Sequence, residues 1–260
     1  MDNNLTQTKT GFKSFLKSFT PYQVIYLAAV CILTFAFVIF FPDMMLDSTE
    51  GILVTVCSII TVIANPLCEL LIAKQSKLNF VVDFFFIEVT YLVISLALGW
   101  YTLAVTVVCF WMPIDVVSYI QWNKHPDRED KNLTQVKRLK PLQGVLIVLG
   151  IVAFGLTAGY LMQHIPGSED SYLEAFASAV GMANGVLLLL RYSEQWFAWF
   201  LTTILYVFMD ISSGAYILLI TEVAMLVNTV YGFVKWLIYT RRHSAKEDGI
   251  CLSGQADSQT

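Results

Sequence analysis

Apolar residues run along this chain in long blocks separated by short polar stretches. A bilayer core about 30 Å thick is crossed by roughly 20 apolar helical residues. Eight segments reach that length: 22–41, 52–73, 80–98, 101–122, 143–162, 172–190, 196–213 and 215–238. The joints "LGWYT" (98–102) and "SSGAY" (212–216) are short, so the helices on either side are predicted to be antiparallel neighbours. The first block follows Lys9, Lys13 and Lys17, as the apolar part of a signal peptide would. It is too long for one and runs into "FPDMMLDSTE" without a small-x-small cleavage site, so it reads as a retained helix.

Two of the blocks are interrupted in the same way. "VIANPLCELL" (62–71) and "GMANGVLLLL" (181–190) each place Ala-Asn before a helix breaker, Pro66 or Gly185. A buried Asn and a breaker are both costly against lipid. Matching breaks in two halves of a chain point to a transporter's central site, which makes Asn65 and Asn184 candidate substrate ligands. The alternative is that both hydrogen-bond between helices as packing contacts.

The interruptions belong to a wider repetition. Segments two to four and six to eight read as two copies of a three-helix unit. Gly99 and Trp122 bracket the last helix of one copy, Gly214 and Trp236 that of the other, at nearly the same spacing. The fifth segment restores the direction of entry, so the copies are predicted to run parallel. The resulting division is 1–50 (tail and an additional helix), 51–122 (first repeat), 123–171 (cytoplasmic loop and linker helix), 172–240 (second repeat) and 241–260 (a disordered cytoplasmic tail). The fold class is therefore all-α and integral to the membrane, with eight transmembrane helices.

Charge fixes the predicted orientation. With the N-terminus inside, all 16 Lys and Arg residues fall in the tails and inner loops. The outer loops contain Asp43, Asp47, Glu50, Glu169 and Asp170 but no basic residue. The positive-inside rule then places both termini in the cytoplasm of a multi-pass plasma-membrane protein. The mixed-sign loop "NKHPDREDKNLTQVKRLKP" (123–141) reads as a solvated connector near anionic headgroups.

Composition narrows the chemistry. The chain is 57% hydrophobic and 14% charged, with a mean hydropathy of +0.64; soluble domains carry roughly 25% charged residues. Five cysteines without C-x-x-C spacing and three scattered histidines argue against a disulfide framework or zinc site. No phosphate loop, dinucleotide fingerprint or H-E-x-x-H motif is present. The sequence thus points away from an enzyme, from a cofactor and from a nucleic-acid partner.

Acids inside the apolar blocks form a one-signed set: Glu69, Asp83, Glu88, Asp115, Asp210 and Glu222. No Lys or Arg lies deep in a block to pair with them. Three readings stay open: neutral acids in structural hydrogen bonds, counter-charges for a cationic substrate, or a coupling-proton site. Asp83 and Asp210 lie near the ends of their blocks. Trp196 and Trp199, a turn apart, could stack on a planar ring or belong to an interfacial aromatic belt.

The stretch "RYSEQWFAWF" (191–200) resembles the motif opening the penultimate helix of the PnuC-type nicotinamide riboside transporters, with Tyr192, Glu194, Trp196 and Trp199 at its marked positions. The resemblance continues through "GAY" (214–216), Glu222 and "YGFVKW" (231–236), and through "LLIAKQSKLNF" (70–80), which ends a Lys-rich turn with Asn79. It departs where Asp83 stands for a glycine and where "VSYIQW" (117–122) replaces a "GWYxW"-like ending. The resemblance implies a SWEET-like fold of three, one and three helices, with the N-terminal helix as an addition. It implies uptake of a vitamin or nucleoside by facilitated diffusion, with trapping by a cytoplasmic kinase. It also implies a homo-oligomer, a trimer by that likeness. It favours substrate-binding roles for Trp199, Trp196, Glu194 and Asn79, which join Asn65, Asn184, Glu88 and Glu222 as the candidate site. The competing expectations are a SWEET-like sugar carrier, a proton-coupled vitamin or nucleoside transporter, and an integral-membrane enzyme or receptor.

Overall fold

The computed structural model describes residues 19–42, 51–126, 134–168 and 171–256, with side chains as far as Arg241. The described chain is helical; its only pairings of strand type are two isolated bridges, Pro126 with Thr134 and Lys137 with Tyr192. The helices are α1 (Pro21–Phe40), α2 (Gly51–Ala73), α3 (Asn79–Ala97), α4 (Tyr101–Lys124), α5 (Pro141–Met162), α6 (Ser171–Leu189), α7 (Gln195–Ser212) and α8 (Leu218–Ala256). Seven of these, α8 over Leu218–Arg241, are long and apolar enough to cross a membrane. The helix outside that group is α7. Its 18 residues include Gln195, two tryptophans, two threonines and Asp210, so it is less apolar than its neighbours. Helix α8 continues to Ala256, beyond the end of its apolar stretch at 238.

Local sequence explains where the helices start and stop. Thr20 caps α1 in a reciprocal box with Gln23, and Pro21 occupies the first turn, where its missing N–H costs nothing. Helix α2 ends with Gln75 in a left-handed conformation (φ 57°), Ser76 N–H donating to Leu71 C=O and Gln75 N–H to Ile72 C=O. Helix α6 ends in the same way. There Arg191 is left-handed (φ 65°), Tyr192 N–H donates to Leu187 C=O and Arg191 N–H to Leu188 C=O. Both are Schellman caps. At the opposite end, Gly99 (φ 70°) and Gly214 (φ 69°) close α3 and α7 with one pattern, Trp100 N–H to Ser95 C=O and Ala215 N–H to Asp210 C=O.

The expected breaks are absent. Helix α2 runs unbroken past Pro66, and α6 runs unbroken past Gly185. Gly185 serves packing: a Cβ there would lie 3.0 Å from both Phe110 and Trp111 of α4. The irregularities lie elsewhere. Asp83–Glu88 in α3 and Val107–Trp111 in α4 are π-helical turns, a feature that is often found at functional sites.

Packing pairs the helices reciprocally. Helix α2 packs on α3 and α8, α6 packs on α7 and α4, α1 lies on α2 and α8, and α5 lies on α6 and α4. Buried polar bonds join these pairs. Glu69 of α2 accepts from Asn228 Nδ2 and Thr229 Oγ1 of α8, both at 2.9 Å. Tyr26 of α1 donates to Ala224 C=O of α8 at 2.8 Å. The Glu174 carboxylate of α6 accepts from Leu103 N–H at 2.8 Å, satisfying an orphan donor in the first turn of α4.

Candidate substrate cavity

A central cavity lies between α2, α3, α4, α7 and α8. The volume of the cavity is only about 40 Å³. That is room for roughly three waters, so a ring-sized solute enters only when the walls separate. The cavity extends from Asp83, near the start of α3, to Leu103 and Glu222, near the starts of α4 and α8 at the other end.

Two kinds of side chain dominate its lining. Tyr91, Trp111, Trp199 and Tyr206 supply aromatic faces, with the Tyr91 and Tyr206 rings stacked at 6.4 Å. Asp83, Glu88 and Glu222 supply carboxyl groups, and no Lys or Arg is among the lining residues. The π turns position part of each set: Asp83, Ile87 and Glu88 come from the first, Val107 and Trp111 from the second. Asp115 of α4 joins Asp83 and Glu88 in a buried group whose oxygens lie within 4.8 Å of one another. Thr202 and Thr203 line the cavity while their hydroxyls donate back to Ala198 C=O and Trp199 C=O, each at 2.9 Å. Aromatic faces with nearby carboxylates suit a cationic planar ring, which both attract.

The residues singled out from sequence separate into two groups. Asn65, Glu88, Trp199 and Glu222 line the cavity together, and Asn65 Nδ2 donates to Tyr91 Oη at 3.5 Å. Asn184 is fully buried behind the wall. In the amide orientation its neighbours satisfy, it accepts from Trp199 Nε1 at 3.0 Å and donates to Gln195 C=O at 2.9 Å. Glu194 lies in the turn before α7, where Oε2 accepts from Leu139 N–H and Ser193 Oγ, each at 3.1 Å. Trp196 and Asn79 are buried away from the lining. Trp196 packs edge-on against Trp236 at 5.7 Å, so neither forms an exposed aromatic belt.

Sequence reasoning missed Tyr91, Trp111, Thr202, Thr203 and Tyr206. A signal was available on α7, where Trp199, Thr202, Thr203 and Tyr206 recur at helical spacing and share a face. At the basic end, burial and then the charge of Lys235 hold Lys74 below the ordinary lysine range. Burial likewise lowers Arg191.

Seven membrane-length helices, several of them around a buried aromatic and acidic cavity, define a multi-pass membrane protein. The chain belongs to the nicotinamide mononucleotide transporter family, whose model matches residues 55–238. It is 22% identical over 230 residues to the nicotinamide riboside transporter PnuC of Haemophilus influenzae (strain ATCC 51907 / DSM 11121 / KW20 / Rd), covering 88% of this chain and 96% of that one. It is 24% identical over 196 residues to the PnuC of Neisseria mucosa (strain ATCC 25996 / DSM 4631 / NCTC 10774 / M26), covering 72% and 74%. Its fold matches the crystal structure of the vitamin B3 transporter PnuC with a TM-score of 0.71 at 21% identity, over 87% of this chain and 94% of that one.

Proposed function

We propose that this protein carries nicotinamide riboside, or a closely related vitamin with a cationic planar ring, across the plasma membrane. Two relatives are named as nicotinamide riboside transporters. The observation that carries the reading is the lining itself: aromatic faces of Tyr91, Trp111, Trp199 and Tyr206 beside Asp83, Glu88 and Glu222. A pyridinium ring would stack on the aromatics and favour the ionised form of the nearby acids, whereas a neutral sugar would draw on neither attraction.

In this reading all eight helices cross the bilayer, with both termini and every basic residue on the cytoplasmic side. Residues 51–122 and 172–240 form two parallel three-helix copies, α5 links them and α1 is added. The matched caps at Gln75 and Arg191, and at Gly99 and Gly214, support that repeat. Helix α7, flanked by short turns and packed on α6 and α8, spans despite its polar residues. Transport is facilitated diffusion, a cytoplasmic kinase traps the product, and the protomers form a homo-oligomer. The grouping of Asp83, Glu88 and Asp115 favours a second reading, coupling to a proton.

Binding to the purified protein tests the substrate class. Nicotinamide riboside should bind, its uncharged dihydropyridine form should bind at least tenfold more weakly, and Glu88→Gln should narrow the difference. Equal affinity for both forms would contradict a site built for a cation.

A further inference from the structure

Between the cavity and the basic end of the bundle, four aromatic rings stand in series. Phe80 meets Trp122 edge-on at 4.9 Å, Trp122 lies 6.3 Å from Trp236, and Trp236 meets Trp196 edge-on at 5.7 Å. None of the four is more than 2% exposed. Ile87, Tyr91 and Trp199 belong to or pack on this cluster and also line the cavity, so the cluster is the cavity's floor.

The floor is built from both halves of the molecule. Phe80 and Trp196 are the second residues of α3 and α7, and Trp122 and Trp236 lie toward the basic ends of α4 and α8. The last two reach across. Trp122 Nε1 donates to Leu188 C=O of α6 at 3.0 Å, and Trp236 Nε1 donates to Ile72 C=O of α2 at 3.2 Å. These are corresponding carbonyls, since each also accepts from the left-handed residue of its own cap, Arg191 or Gln75. Two indoles thus latch each half to the helix end of the other.

Two features make this floor a joint that can open. Trp196 Nε1 is buried with no partner among the described residues, and an unpaired buried donor disfavours the closed arrangement. The Trp196 ring docks only because α8 carries no side chain at Gly232, where a Cβ would lie 2.2 Å from it. The closed floor therefore combines two cross-half bonds with one unmet donor and one tight ring contact, a balance suited to two states.

We propose that Trp122, Trp196 and Trp236 form a gate at the basic end. Release of a solute from the cavity toward that end requires the two indole bonds to break and Trp196 to leave Gly232. The proposal rests on the transport reading, but its test needs neither a substrate nor flux. In a variant lacking native cysteines, Thr203→Cys places a thiol on the cavity wall. An impermeant maleimide is applied to intact cells and to inside-out vesicles. Gly232→Ala, which wedges the ring out, should speed labelling at least fivefold from the side bearing the basic end and leave the other side unchanged. Trp236→Phe keeps a ring but loses one N–H, and should speed it roughly 2–12-fold, the effect of one net hydrogen bond. If only one variant purifies as a monodisperse protein, that variant carries the test. Unchanged labelling in a folded variant, or an equal rise from both sides, overturns the gate. Gated labelling in a protein that does not bind nicotinamide riboside leaves the gate standing and removes the substrate assignment.

Discussion

The indole of Trp199 is fixed at its N–H by Asn184 and presents its ring to the cavity. In the proposed site, binding at this residue has a contact part and a positioning part. Trp199→Ala should weaken nicotinamide riboside binding about 5- to 150-fold, the range of one stacked base at roughly 1–3 kcal/mol. Asn184→Ala removes the hydrogen bond that orients the ring and should cost about 0.5–1.5 kcal/mol, or roughly 2- to 12-fold. Titration calorimetry on the purified variants checks both, and an Asn184→Ala effect as large as that of Trp199→Ala would make Asn184 a direct ligand. Glu69 contrasts with these residues. Its carboxylate is occupied by Asn228 and Thr229, away from the lining, so it joins α2 to α8. Composition alone could not separate it from Glu88, because both are lone acids in apolar blocks.

At the scale of elements, hydropathy located the helices because lipid-facing and buried apolar residues give the same long signal. The same degeneracy hid part of the site. Tyr91, Trp111 and Tyr206 look like any aromatic in a spanning helix until packing shows which face turns inward. The π turns of α3 and α4 were invisible for a related reason, since one extra residue per turn leaves no mark on an apolar block. The Ala-Asn-breaker pair misled in the other direction. Measured from the matched caps, Asn184 corresponds to Cys68 rather than Asn65, so the two Asn residues occupy different levels of their helices. Gly185 is where helix packing controls the cavity. Gly185→Val should drive Phe110 and Trp111 from α6, with strain of about 1–3 kcal/mol and at least a tenfold loss of affinity. Binding measured beside thermal unfolding checks this. Unchanged affinity in a folded variant would mean that the α4 wall does not depend on close contact with α6.

In the whole molecule, one narrow cavity is closed at its basic end by crossed indole bonds, α4 to α6 and α8 to α2. In the proposed function, flux follows the substrate's own gradient, and in the second reading that of a proton bound by the grouped acids. A cationic substrate adds one distinctive expectation, because its distribution follows the membrane potential at about 2.3 kcal/mol per 100 mV. The measurement that decides most directly is uptake of nicotinamide riboside by purified protein in liposomes. At zero potential the internal concentration should rise to the external one and stop, whether or not a pH gradient is imposed. A potential of 100 mV, negative inside, should raise the plateau about 50-fold. Accumulation driven by a pH gradient at zero potential, abolished by Glu88→Gln, would contradict facilitated diffusion and make Glu88 a coupling residue.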